Sequence, residues 1–189
     1  MKKTTFTFAV LAMTMLLISS CKKASTDAQC GSGLLCANVD GISYVASPYN
    51  SSTGFFGNNT YNGSYAQLIP TSQATGGYNL AVSGNNGNAN TGATWQISFN
   101  ITQLPVNGGT YSTSAGSATF DYYAGSASNQ LHYTSDATHT GTVTINSIDT
   151  VNNLVSGTFS FTADEGTHNY TPTDHTITAG SFTNLLIRR

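Results

Sequence analysis

The chain has 189 residues, only 7% of them charged, and a formal net charge of −2. Between Ala24 and Ile187 there is no lysine or arginine, so this segment lacks the basic side chains that neutralise phosphate groups. The composition therefore excludes nucleic acid, nucleotides and anionic lipid head groups as partners. It favours neutral, cationic or apolar partners.

The beginning of the chain has the pattern of a lipoprotein signal peptide. Two lysines precede an apolar segment, residues 6–18, and the segment ends in the lipobox Ile-Ser-Ser-Cys at residues 18–21. This segment is shorter than the roughly 20 residues of a membrane-spanning helix. We expect cleavage after Ser20, a diacylglycerol on the thiol of Cys21 and a further acyl chain on its amine. Each buried methylene stabilises such an anchor by about 0.8 kcal/mol.

The chain divides into three segments. Residues 1–20 are the predicted signal peptide, residues 21–33 the lipidated cysteine and a tether, and residues 34–189 one antiparallel β domain. Cys30 and Cys36 flank a short loop, and the compartment outside the inner membrane is oxidising, so we expect a disulfide. Closing so short a loop stabilises a fold by about 2 kcal/mol. The alternative is two reduced thiols.

The domain opens with a predicted hairpin, followed by an aromatic segment. Residues 35–39 and 42–46 alternate in polarity around Asp40-Gly41, a pair that favours a two-residue turn. In residues 49–61 asparagines stand among the aromatic residues Tyr49, Phe55, Phe56 and Tyr61. Aromatic faces stack on sugar rings and amides bond hydroxyls, so this segment is a candidate site for a neutral carbohydrate. The alternative is a connection whose phenylalanines pack under the sheet edge.

The clearest predicted strand is residues 94–102, in which Trp95, Ile97, Phe99 and Ile101 alternate with polar residues. The same period of two occurs in residues 78–82, 118–122, 142–145 and 158–162. No part of the mature chain has a helical repeat of apolar residues. We count eight to ten strand segments. The predicted fold is a single antiparallel β-sandwich, and a lipocalin-like meander barrel is the alternative.

Several loops have their own signals. Residues 84–92 form a Gly/Asn turn cluster, and residues 149–153 join two strands into a hairpin. The glycine in residues 177–182 is out of phase with the strand and predicts a bulge. Asp149-Thr150-Val151 matches a bacterial O-glycosylation pattern, with Thr150 as the acceptor.

A further loop near the end of the chain is rich in acids and histidines. It contains Asp164, Glu165, His168, Asp174 and His175, but their spacing matches no metal motif. We interpret it as a solvated polar loop. We expect no metal and no cofactor.

Five pieces of the sequence resemble a family of small uncharacterised lipoproteins of Bacteroidetes type. They are the lipobox with its following lysines and residues 37–44, 141–145, 155–163 and 177–184, of which the Ser-Gly-Thr-Phe-Ser-Phe run at residues 156–161 is the most specific. The likeness covers most of residues 37–187. It implies a location in the cell envelope and an all-β fold, and it identifies no catalytic residues.

No Gly-x-Ser-x-Gly elbow and no pair of acids stands out, so we do not expect an enzyme. The leading hypothesis is a non-catalytic, monomeric lipoprotein of the outer membrane. Its domain faces the periplasm and binds a neutral carbohydrate or another envelope protein, or serves a structural role. The alternatives are a lipocalin-like carrier of an apolar ligand and a hydrolase on a β scaffold.

Overall fold

The computed structural model describes residues 30–53, 59–70, 78–86, 94–102, 108–126, 129–165 and 174–188. Cys21 and the signal peptide lie outside them. Among the described residues, no helix has the length and apolar character needed to cross a membrane.

The described chain is all-β, as predicted, but it has thirteen strands rather than eight to ten. In chain order they are β1 (Leu34–Val39), β2 (Ile42–Val45), β3 (Asn50–Thr53), β4 (Asn59–Asn62), β5 (Tyr65–Pro70), β6 (Tyr78–Asn85), β7 (Thr94–Ile101), β8 (Gly109–Ser112), β9 (Ala118–Ser126), β10 (Asn129–Thr134), β11 (Gly141–Asp149), β12 (Leu154–Ala163) and β13 (His175–Arg188).

Eleven of the strands form one sheet, which folds over into two layers. The first layer has the order β2-β1-β13-β12-β11-β8 and the second β5-β6-β7-β9-β10. They are joined where Ile187 and Arg188 of β13 pair with Ala66 and Gln67 of β5. That pairing is parallel, so the prediction of a purely antiparallel domain is wrong at this point. The sheet does not close into a barrel, and the sandwich prediction is confirmed.

The core lies between the two layers and is aromatic. Phe99 of β7 packs against Phe120 of β9 on its own layer, and across the layers it meets Phe159 and Phe182 at ring-centre distances of 5.3 and 5.6 Å. The predicted inward residues of residues 94–102 are all buried. The period of two therefore identified the core face correctly.

Local turn predictions are also confirmed. Asp40 and Gly41 have φ values of 50° and 82°, as a tight hairpin turn requires, and they connect β1 to β2. The predicted bulge lies in β13, where an extra residue is accommodated at Ala179, whose φ is 49°. One boundary was wrong, because Gly84 and Asn85 continue β6 instead of beginning a turn.

Cys30 and Cys36 form a disulfide, with a Cα–Cα distance of 5.6 Å. The bond ties the residues before β1 to a buried position within that strand, since Cys36 is almost fully buried. The amide of Gly33, which lies between the two cysteines, donates to the carbonyl of Thr183 in β13. The last residues of the predicted tether are therefore fastened to the first layer, and the ordered domain begins a few residues before the predicted boundary at residue 34.

Candidate functional site

The outer face of the first layer is covered with hydroxyl groups. In the middle of β11, β12 and β13, over residues 142–145, 158–162 and 176–181, the inward positions are apolar or glycine and the outward positions are threonine or serine except at Ala179. We call this surface the hydroxyl face. Its residues are Thr110 of β8, Thr142 and Thr144 of β11, Thr158, Ser160 and Thr162 of β12, and Thr176, Thr178 and Ser181 of β13.

The strand register aligns these side chains in rows. Thr144 lies opposite Thr158, which in turn lies opposite Ser181 on the next strand. Opposed side chains in an antiparallel pair have Cβ atoms about 4.5–5.5 Å apart, so neighbouring hydroxyls can contact a single ligand. At the edge, the hydroxyls of Thr110 and Thr144 are 3.0 Å apart and hydrogen-bonded.

Two adjoining grooves, shallow and open to solvent, lie on the hydroxyl face. The larger has a volume of about 470 Å³ and is lined by Thr142, Thr144, Thr158, Ser160, Ser181 and the β13 bulge at Ala179 and Gly180. The second has a volume of about 320 Å³ and continues past Thr140, Thr162, Thr176 and Thr178. None of the described residues that line the two grooves is charged. Such surfaces can donate and accept hydrogen bonds but cannot neutralise an ion.

The second groove runs towards a cluster of acids around His139. Thr140, on its wall, directly follows His139, and Asp164 lies two residues beyond Thr162. The Nδ1 atom of His139 is 3.1 Å from Oδ1 of Asp136 and 3.7 Å from Oδ1 of Asp164. Hydrogen bonds from the backbone amide of His139 and from the hydroxyl and amide of Thr138 hold the pKa of Asp136 well below its usual range.

A second histidine is held by a carboxylate at the β1–β2 turn. Nδ1 of His175 is 2.6 Å from Oδ2 of Asp40, and the backbone amide of Thr176 donates to Oδ1 of Asp40 at 2.8 Å. Partial burial raises the pKa of Asp40, but the hydrogen bonds from Thr176 and His175 outweigh it and lower the pKa below its ordinary value.

The imidazole of His175 lies among tyrosines. The rings of Tyr122 and Tyr133 meet it edge to face at 5.1 and 4.3 Å. Burial, with a contribution from the hydroxyl of Tyr44, raises the pKa of Tyr122 far above its ordinary value, so Tyr122 stays protonated. A hydrolytic triad needs a nucleophile at the free imidazole nitrogen. Among the described residues we find no hydroxyl hydrogen-bonded to Nε2 of His175.

The residues predicted to bind carbohydrate are placed differently from one another. One face of the Tyr49 ring lies against the guanidinium of Arg188, 4.7 Å from the ring centre, and its edge packs near Tyr65. Tyr61 lies in β4, and Phe55 and Phe56 lie outside the described residues. Tyr49 therefore already has partners within the chain, and the aromatic site stays a prediction.

Thr150 lies at the tip of the β11–β12 hairpin and is exposed. Asp149 organises this tip, because its Oδ1 accepts hydrogen bonds from the amides of Val151 and Asn152, both at 2.9 Å. The tip is accessible, as the predicted O-glycosylation requires. The modification itself stays a prediction.

In the sequence, the alternation of polar and apolar positions in these strands indicated only which face points inward. The signal that was missed is the uniformity of the polar positions, since the outward residues of residues 142–145 and 158–162 are all Thr or Ser. From the predicted acidic loop, the structure places Asp164 and Asp174 beside His139, which lies with Asp136 in another loop. His168 lies outside the described residues.

Comparison of the chain with protein-family models, with curated proteins and with solved structures finds no match.

Proposed function

We propose that this protein is a non-catalytic, lipid-anchored envelope protein that binds a neutral, polyhydroxylated ligand on its hydroxyl face. The observation that carries the proposal is the pair of uncharged grooves lined by threonine and serine. Sugar hydroxyls both donate and accept hydrogen bonds, as these side chains do. A neutral glycan of the envelope fits such a surface.

The charge of the protein further restricts the class of ligand. The segment between Ala24 and Ile187 has no lysine or arginine, whereas acidic residues lie at the end of the second groove. An acidic polysaccharide would therefore find no basic side chain to pair with, while an uncharged one needs none. The protein discriminates against anionic glycans by this means.

The filled core supports binding on a surface rather than carriage inside the domain. An apolar carrier of the lipocalin type needs free space between its strands. Here Phe99, Phe159 and Phe182 meet at the centre of the domain, and all three are buried. Among the described residues, the Asp40–His175 pair and the acids around His139 are the features that would suit the hydrolase alternative, but no hydroxyl is hydrogen-bonded to Nε2 of His175.

Exchanging Thr142 and Thr158 together for valine should weaken binding of a neutral glycan. Valine keeps the shape and the strand propensity of threonine but removes a hydroxyl, and each lost hydrogen bond costs about 1 kcal/mol, so affinity should fall by about tenfold or more. Affinity electrophoresis of the full-length protein in native gels containing mannan, dextran or galactan measures the change.

The matched control is Thr119→Val, which removes an exposed strand hydroxyl from the outer face of the other layer. It should migrate like the wild type in every gel. The proposal fails if none of the three polysaccharides retards the wild type, or if the double variant is retarded as strongly as the control.

The proposed location in the cell envelope rests on the lipobox and on the resemblance to Bacteroidetes-type lipoproteins. Cys21→Ala should abolish incorporation of labelled palmitate and release the protein from the membrane fraction, because the acceptor thiol is gone. Palmitate incorporated into the variant would contradict lipidation at Cys21.

In cells with the wild-type chain, added protease should reach the domain only after the outer membrane is permeabilised, since the domain faces the periplasm. Digestion of the domain in intact cells would contradict its periplasmic location.

A further inference from the structure

Four side chains from three separate segments meet beside the second groove. Asp136 and His139 lie between β10 and β11, Asp164 directly follows β12, and Asp174 directly precedes β13. Backbone hydrogen bonds in both directions between Thr134 and Asp164 hold two of these segments together, at 2.9 and 3.2 Å. The cluster is therefore a product of the tertiary fold.

The geometry suits one metal ion bound to three ligands. One ligand atom each from Asp136, His139 and Asp164 lie within 4.8 Å of one another. Zinc binds imidazole nitrogen and carboxylate oxygen at about 2.0–2.2 Å, so tetrahedral ligands stand about 3.4 Å apart. The distances from Nδ1 of His139 to the two carboxylates, 3.1 and 3.7 Å, lie on either side of that value.

A carboxylate lies near the other nitrogen of His139, where a metal-bound imidazole usually has one. Its Nε2 is 3.5 Å from Oδ1 of Asp174. Histidines that bind a metal through one nitrogen generally donate the N–H of the other to a carboxylate, which fixes the tautomer and orients the ring. Asp136 is oriented as well, because its Oδ1 accepts from the amides of Thr138 and His139 at 2.7 and 2.6 Å and from the hydroxyl of Thr138 at 2.8 Å. That hydroxyl also lies 3.1 Å from Nδ1 of His139, and a metal ion bound to Nδ1 would displace it.

The charge of the cluster also calls for a cation. Three carboxylates surround one imidazole, and the sequence between Ala24 and Ile187 contains no lysine or arginine to neutralise them. The side chains of His139 and Asp164 are only 22% and 17% exposed, so solvent screens them incompletely, whereas those of Asp136 and Asp174 are 49% and 62% exposed. A divalent ion would balance this charge.

We propose that Asp136, Asp164 and Nδ1 of His139 bind one divalent transition-metal ion of the zinc class, with Asp174 as the positioning residue for the imidazole. Nitrogen with carboxylate oxygen is a ligand set that suits zinc better than calcium, which takes oxygen ligands. Three protein ligands leave a position on the metal for water or for a ligand hydroxyl from the groove. The inference departs from the sequence-based expectation of no metal, and it does not depend on glycan binding.

The test is a calorimetric titration of tag-free, full-length protein in detergent, stripped with EDTA and kept free of reductant so that the disulfide persists. We expect one zinc ion per chain and no comparable calcium binding. His139→Gln and Asp164→Asn should each weaken zinc binding by at least about tenfold, and Asp174→Asn by about tenfold. The matched control is His132→Gln, because His132 contacts a single carboxylate, Asp121, at 2.8 Å.

Histidine ring resonances of the wild-type protein provide a second measurement, which does not require any variant to fold. Zinc should shift the His139 signals and leave those of His132 unchanged. The proposal is overturned if the wild type binds no stoichiometric zinc, if His139→Gln binds as tightly as His132→Gln, or if the His139 signals do not respond. In each of these cases the carboxylates hold the imidazole of His139 by hydrogen bonds and not through a metal ion.

Discussion

Replacing Phe99 by alanine should lower the free energy of unfolding by about 3–5 kcal/mol, because the change removes a fully buried ring and leaves a cavity. The side chain of Phe99 has no exposed surface, and its ring meets Phe120, Phe159 and Phe182 at 5.3–5.7 Å. Domains of this kind are stable by only about 5–15 kcal/mol, so the variant loses a large part of the total. Urea denaturation of the wild type and the variant measures the difference.

The control is the neighbouring residue on the same strand. Ser98 points to the outer face and is partly exposed, so Ser98→Ala should change the free energy of unfolding by no more than about 0.5 kcal/mol. Equal damage from the two substitutions would mean that both faces of β7 are buried, and the two-layer description would then be wrong.

Gly157→Ala should destabilise the domain by about 3 kcal/mol, at the upper end of what overpacking of a core costs. A glycine within a strand is ordinarily about 0.5–1 kcal/mol worse than alanine, so the usual effect has the opposite sign. Here a Cβ atom at position 157 would overlap both the ring of Phe182 and the carbonyl oxygen of Thr144. The carbonyl belongs to the paired strand β11 and cannot move without disturbing the sheet.

Gly31→Ala is the matched control, since the nearest atom to a Cβ there is the flexible end of Leu34 at 3.3 Å. Its melting temperature should stay within about 2 °C of the wild type. If Gly157→Ala melted at or above the wild-type temperature, the close approach of β12 to Phe182 would be refuted.

These two predictions bear on function as well as on stability. The rings that make Phe99 and Gly157 intolerant of change fill the space that an internal ligand would need. The hydroxyl face lies on the other side of the same strands, so β12 has both a core face and the proposed binding face. Backbone positions fixed by the core keep the rows of hydroxyls in register, which reduces the entropy lost when a ligand binds.

The candidate site could be predicted only in part. Alternation in residues 142–145 and 158–162 showed which residues face outward, because the side-chain period of a strand is two. It did not show that β11, β12 and β13 are neighbours whose hydroxyls align, because register between strands depends on pairing along the whole sheet. The sequence instead predicted a carbohydrate site in the aromatic segment, residues 49–61, and the structure places Tyr49 of that segment against Arg188.

The sequence by itself determined the features that rest on local chemistry. These are the tight turn at Asp40-Gly41, the buried faces of the strands, the bulge before Gly180 and the uncharged character of the surface. Each depends on φ preference, on alternation or on composition within a few residues.

Tertiary structure alone decided what requires distant segments to meet. It set the parallel pairing of Ile187 with Ala66 that joins the two layers, the choice of a sandwich over a barrel, and the meeting of His139 with Asp164 and Asp174. Alternation states that a face is buried but not which other face covers it, because many pairings of similar apolar faces bury similar area. The choice among them is made by packing across the core, where Phe99 of one layer meets Phe159 and Phe182 of the other.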